Sequence, residues 1–339
     1  MKYSKITIFY PVNRPLERAI ADSLGMLSEE VAATAIADTK VTVADNFLYT
    51  RGNFEQHRFS ANILESLHEA LEAALVEEND GSARAAIQNS LGNILAALAQ
   101  NRSDADLYRQ SIAEFNKALE LISQETSPLD WAATQYNLGT ALQALGRLES
   151  DAKILNQSVD AYTAALLVYS KTETPEEWIM SMHQLGTTFH TYGTLLKGNR
   201  TFQKSVVSFK NALSLLDADN YALELTATHN NRAAVLHHLG ESEENPGRLE
   251  EAIKSYEKAL TVCMEQQLPF HLAVIIRVNK ATAQNILAEL TNDAVLAEEV
   301  ADEFELIMEC FPHALQPLCV KHCEVQLNQA QKLGGASAA

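Results

Sequence analysis

The chain has 339 residues, 47% of them hydrophobic, and a formal net charge of −18 at neutral pH. That apolar content excludes a disordered chain, and the acidic balance excludes a nucleic-acid binder, which needs a basic stripe to track phosphates. No apolar run approaches the length of a bilayer span, so membrane insertion is not expected.

At the front, Ile6 to Val12 follows Lys2 and Lys5, but the run is short, contains Pro11 and lacks a small-residue cleavage site. It is not read as an export signal, and the four cysteines are accordingly expected as reduced thiols in a cytoplasmic protein. Residues Asn13 to Leu24 are expected to form a short capping helix. A helix from about Ser28 to Tyr49 and an amphipathic one from Asn62 to Glu78, with Ile63, Leu64, Leu67, Leu71 and Leu75 on one face, are expected as a divergent leading pair within residues 1–80.

From residue 81 the chain repeats. Leu119, Leu166, Leu213 and Leu260 each close an aromatic-x-x-Ala-Leu pattern, and they stand 47 residues apart. A second landmark keeps the same step: Leu91-Gly92, Leu138-Gly139, Leu185-Gly186 and Arg232-Ala233. A fixed period of this size means stacked copies of one supersecondary unit. Five copies are read: 81–127, 128–174, 175–221, 222–268 and 269–311. In the second, Ser127 and Pro128 open a first helix, Gly146 ends it as a left-handed cap, and a polar connection from Arg147 to Lys153 leads to a second helix from about Leu155 to Ser170. Mid-helix glycine costs about 1 kcal/mol against alanine, so Gly139 and Gly186 point to close approach of the partner helix, with Ala165 as the matching small residue.

These Leu-Gly, aromatic and Ala-Leu positions resemble the tetratricopeptide repeat, whose usual period is shorter, and the wording of the copies is similar to long-period bacterial arrays, some of which precede a caspase-like (CHAT) protease domain. The resemblance implies an all-α fold, a right-handed superhelical solenoid of antiparallel helix pairs, without the protease. About seven of the extra residues are assigned to the loop inside each hairpin. Beyond the fifth copy, Leu318 to Leu333 is expected as a capping helix within residues 312–333, and 334–339 as a disordered tail.

No phosphate-binding loop or nucleophile elbow occurs, and His68-Glu69-Ala70-Leu71-Glu72 lacks the second histidine of a zinc-protease helix, so no enzyme and no cofactor are expected. Cys310, His313, Cys319, His322 and Cys323 form the one metal-like cluster. Its spacing fits no standard zinc site, and it is read as packing. The candidate binding row lies on the first helices, at two residues before, two after and five after each Leu-Gly landmark, which is one helical face. It comprises Asn89 and Asn93; Tyr136, Thr140 and Gln143; His183, Thr187 and His190; and Asn230 and His237. No lysine or arginine stands there, so a carboxylate clamp is not expected. An uncharged row of amides and imidazoles suits a peptide backbone instead, with binding expected to follow histidine protonation between about pH 5.5 and 7.5. The expected function is a scaffold holding a protein or peptide, a basic one fitting the charge, in a concave groove. A ligand-responsive regulatory subunit and a self-assembling solenoid are the alternatives.

Overall fold

The computed structural model describes residues 9–11, 48–50, 61–310 and 317–336. Apart from a two-stranded ribbon, the described chain is all α-helical. Strand β1 (Phe9–Pro11) pairs antiparallel with β2 (Leu48–Thr50), Tyr10 facing Tyr49. The helices are α1 (Ala61–Glu77), α2 (Gly81–Arg102), α3 (Ala105–Leu121), α4 (Pro128–Glu149), α5 (Ala152–Ala165) and α6 (Pro175–Leu196), then α7 (Asn199–Leu213), α8 (Ala218–Glu243), α9 (Pro246–Glu265), α10 (Phe270–Thr291), α11 (Ala294–Cys310) and α12 (Pro317–Ala336). They fall into two compact units, one holding α1 to α6 and the other α7 to α12 with the ribbon. Within each unit consecutive helices pack on one another, and first helices also touch the next first helix, α2 on α4 and α4 on α6, α8 on α10 and α10 on α12. This is the neighbour-to-neighbour packing of a tetratricopeptide-like array.

The expected helix at Asn13–Leu24 and most of the one at Ser28–Tyr49 lie outside the described residues. The end of the latter is strand, not helix: the β-prone run Leu48-Tyr49-Thr50 finds a partner in Phe9-Tyr10-Pro11.

The hairpins differ from the expected unit in an instructive way. First helices run on past the expected stop, α4 to Glu149, and only two residues separate it from α5. The extra residues lengthen helices instead of opening a loop. The turn is made by a left-handed residue at Ser103, Ser150, Lys197, Glu244 and Asn292, with φ between 49° and 54°. Each is followed by a backbone bond that closes the helix end, such as Asp151 N–H to the Gly146 carbonyl at 2.8 Å. At four of these five turns, all but the one at Lys197, the next residue then caps the second helix. Asp104 accepts from the Asp106 and Leu107 amides, Asp151 from Lys153 and Ile154, and Asp293 from Leu296. Asn245 does the same for Arg248. A non-glycine residue in this conformation costs roughly 1–2 kcal/mol, and at those four turns the caps on both sides offset it. Ser127 and Thr174 precede Pro128 and Pro175 as N-cap residues, but neither makes a side-chain cap bond.

Gly146 is therefore inside α4, and its lack of a side chain serves contact instead of a turn. A Cβ there would lie 2.9 Å from Leu155 Cγ and 3.0 Å from the Leu155 backbone nitrogen, where α4 and α5 converge. At mid-helix, the partner of Gly139 is not Ala165 but the ring of Tyr162, 2.9 Å from a Cβ built on it. Ser158 then donates its hydroxyl to the Gly139 carbonyl at 2.7 Å, and Ser111 does the same to Gly92 at 2.6 Å. Bare backbone thus admits both a flat ring and a hydroxyl. Where the fourth copy replaces Leu-Gly by Arg232-Ala233, Arg232 turns to α9 and pairs with Glu251.

At the far end α12 packs on α11 and α10. Cys323 and Ala330 are buried with Val274, Val278, Ala281, Val300, Phe304 and Ile307. The helix runs to Ala336, so the first three residues of the expected 334–339 tail are helical, and Gly334 abuts Glu298 of α11. Deleting residues 318–339 should expose this apolar surface, and the shortened protein should aggregate or lose helical signal on heating well before the parent. Light scattering and circular dichroism check this; a monomeric truncation with unchanged melting would remove α12 from its capping role.

Candidate functional site

The ten candidate residues sit on the first helices as the repeat register requires, but the structure does not present them as an open row. Asn93, Tyr136, Gln143, His183, Thr187, His190, Asn230 and His237 are buried. Only Asn89 and Thr140 are half-buried.

The geometry explains why. Residues advance 100° per step around a helix, so positions two before and five after the landmark fall on its flank, against the next first helix. There they act as fastenings. Asn137 of α4 donates to Asn89 of α2 at 3.1 Å, and Asn279 of α10 donates to Asn230 of α8 at 3.0 Å. One turn further along, the Gln143 amide of α4 reaches Thr187 at 2.8 Å and Thr188 at 2.7 Å on α6. The counterpart in the other unit is Asn285 of α10, which donates to Gln326 of α12 at 3.0 Å. Carboxamides with two donors and an acceptor suit this task, because a helix flank offers both kinds of partner. Thr140 instead bonds the Tyr162 hydroxyl at 3.0 Å, holding the ring that covers Gly139.

Residues not singled out in the sequence complete these contacts: Asn137, Thr188, Asn279 and Gln326. A signal was present. The position just before each landmark reads Ser90, Asn137, Gln184 and Asn231 at the 47-residue step, with Asn279 one residue further on. It is a polar column as regular as the leucines.

Burial also sets the electrostatics. Loss of water around His183 pushes its imidazole down to about 3, and burial with His238 and His322 nearby lowers His237 well below the ordinary histidine value. Loss of water around half-buried His229, with Lys258 and Arg232 nearby, pushes its imidazole down to about 4. These rings stay neutral across the range where protonation was expected to switch binding, so the expected pH switch is withdrawn for His183 and His237. The tyrosine hydroxyls of Tyr136 and Tyr162 are likewise buried and shifted upward by desolvation.

In the C-terminal cysteine cluster, Cys319 and Cys323 hydrogen-bond one another, which lowers the first and, with burial, raises the second. His322 turns to Thr282 at 2.9 Å, and Cys310 is exposed at the end of α11. His313 lies outside the described residues. Among the described residues no three His, Cys, Asp or Glu side chains gather around a common point for a metal, and no helix is long and apolar enough to cross a membrane.

Replacing Gln143 by Ala would leave the Thr187 and Thr188 hydroxyls with one partner fewer in a dry interface. It should destabilise the unit by roughly 1–3 kcal/mol, read by urea unfolding, and a change below the error of that measurement would show that the α4–α6 amide contact does not fasten the helices.

A comparison with curated proteins finds no match. Residues 233–263, from the middle of α8 through the hairpin turn to Cys263 of α9, match the tetratricopeptide repeat family, the kind of repeat that generally mediates protein–protein interaction.

Proposed function

We propose that this chain is a protein-interaction scaffold that holds a peptide or protein segment against the inner face of its first helices. The observation that carries the reading is the tetratricopeptide match at 233–263 within an array whose first helices are fastened side by side by carboxamides. Such fastening gives a rigid face at little entropic cost to binding. The candidate row then has a double role: Asn89, Gln143, Thr187 and Asn230 bond across neighbouring first helices, and Asn89 and Thr140 keep part of their surface for a partner. The charge of −18 favours a basic segment.

The test is affinity capture with the full chain as bait, followed by calorimetric titration of the purified partner. Asn89→Ala combined with Thr140→Ala should weaken binding about tenfold or more, equivalent to about 1.4 kcal/mol, while the helical signal persists. Unchanged affinity in a folded double variant would move the partner off this face. Affinity should also fall as salt rises.

A further inference from the structure

The C-terminal helix carries two thiols that the scaffold reading leaves unused. Cys319 and Cys323 stand one turn apart on α12, at i and i+4, so they are neighbours on one helix face. Their side chains hydrogen-bond one another. Cys323 is fully buried in the apolar cluster that holds Val274, Val278 and Phe304, whereas Cys319 is half-buried and packs against the same cluster. The pair is therefore a dithiol with one sulfur sealed from water and the other partly open to it. His322, between them in sequence, turns instead to Thr282 at 2.9 Å.

Two thiols so placed have a restricted chemistry. Side chains one helical turn apart have Cβ atoms about 5–6 Å apart, and a disulfide needs about 3.5–4.5 Å. Direct oxidation to a disulfide would thus require α12 to unwind locally. An ion between the sulfurs suits the spacing better, because two metal–sulfur bonds of about 2.3 Å each add to the reach. Zinc is a poor fit: its structural sites use four ligands, and among the described residues no three His, Cys, Asp or Glu side chains gather around a common point. Cu(I) is the soft ion that thiolates select, and it accepts a pair of ligands in line. A bis-thiolate complex is negative, and Cys319 lies in the first turn of α12, where the positive helix end favours such charge.

We propose that Cys319 and Cys323 form a Cu(I)-binding site at the start of α12, independent of where a protein partner docks. Each thiol releases its proton to solvent as a copper–sulfur bond forms. The ion stays Cu(I) throughout, so no electron is transferred and no oxidant is consumed. Cys319, the more exposed sulfur, receives the ion, and buried Cys323 completes the pair.

Competition with the chromogenic Cu(I) chelator bicinchoninate, under argon with ascorbate to keep copper reduced, reads the binding on the full chain. The folded parent should withdraw a single Cu(I) ion per chain. Cys319→Ser and, separately, Cys323→Ala should each bind about tenfold or more weakly, with circular dichroism confirming that the helices persist. Cys319→Ser, at the half-buried position, carries the test by itself if the buried substitution perturbs folding. Replacing the remaining cysteines together, Cys263→Ala with Cys310→Ser, should leave affinity and stoichiometry unchanged. The parent unfolded in urea should bind about tenfold or more weakly than the folded chain. The proposal is overturned if the parent withdraws no copper, if Cys319→Ser binds as the parent does, if the Cys263 and Cys310 double variant loses the ion, or if the unfolded chain binds equally well, which would mark thiols without a built site.

Discussion

Lowering the pH from about 7.5 to about 5.5 should destabilise both units of this protein, and the one containing His237 more. The imidazoles of buried His183 and His237 and of half-buried His229 have folded-state values below that of an unfolded histidine. As the pH falls through about 6.5, the unfolded chain takes up protons and the folded one does not, so the balance moves toward unfolding. Stability is fully present above that value and is lost progressively toward the folded values, about 3 for His183 and about 4 for His229. Each fully buried ring contributes a loss of about 1.3 kcal/mol over this interval. The unit with His183 should lose about that much, and the one with His229 and His237 about twice it, less a discount because His229 keeps some exposure. Glu289, raised by burial, works weakly the other way from an exposed position. Urea unfolding at the two pH values reads the loss, and His237→Phe should shrink it. Equal stability at both would mean that these rings are hydrated.

Gly139→Leu should be the most damaging single substitution in the hairpin of α4 and α5. Even a Cβ would lie 2.9 Å from two carbons of the Tyr162 ring, and that ring cannot swing away. It is fully buried, its hydroxyl is held by Thr140 at 3.0 Å, and its edge packs on Tyr136 at a centroid distance of 5.5 Å. Helix propensity would return about 1 kcal/mol, whereas overpacking a rigid contact costs roughly 3 kcal/mol or more. The displaced ring would also disturb the Ser158 bond to the residue 139 carbonyl. A melting curve within a degree or two of the parent would show that α4 and α5 do not meet at this residue.

How much was legible can be judged residue by residue. The 47-residue step placed the first helices, because leucines and aromatics that bury one face cannot drift in register. Helix starts at Pro128 and Pro175 were likewise readable, since proline fixes the first turn. Misreading began at Gly146. Glycine after an apolar stripe ordinarily signals a left-handed stop, but here it permits contact with Leu155, and Ser150 takes the positive φ. Sequence showed that too, in Asp104, Asp151, Asn245 and Asp293, whose caps recur at the hairpin turn.

The candidate row failed for a similar reason. Its spacing describes one helical face correctly, yet spacing does not say whether that face meets water or another helix. Polar residues were assumed to be wet. In this array several amides occupy the dry flank between first helices because a partner stands at the same level in the next copy, as Asn230 finds Asn279 and Gln143 finds Thr187. The paired column at Ser90, Asn137, Gln184 and Asn231 could have revealed this, since two polar columns one residue apart at one period imply rungs between copies.

The central claim is that the buried members of the polar row, His183 and His237 among them, lie in dry contacts between packed helices and are closed to water. Histidine-selective NMR of the full chain, followed from about pH 8 to about pH 5, tests it most directly. The ring signals of His183 and His237, assigned by single substitution to Gln, should remain those of neutral imidazole throughout. A titration of either ring near the ordinary value of about 6.5 in the folded protein would contradict the account and restore the row to an open groove.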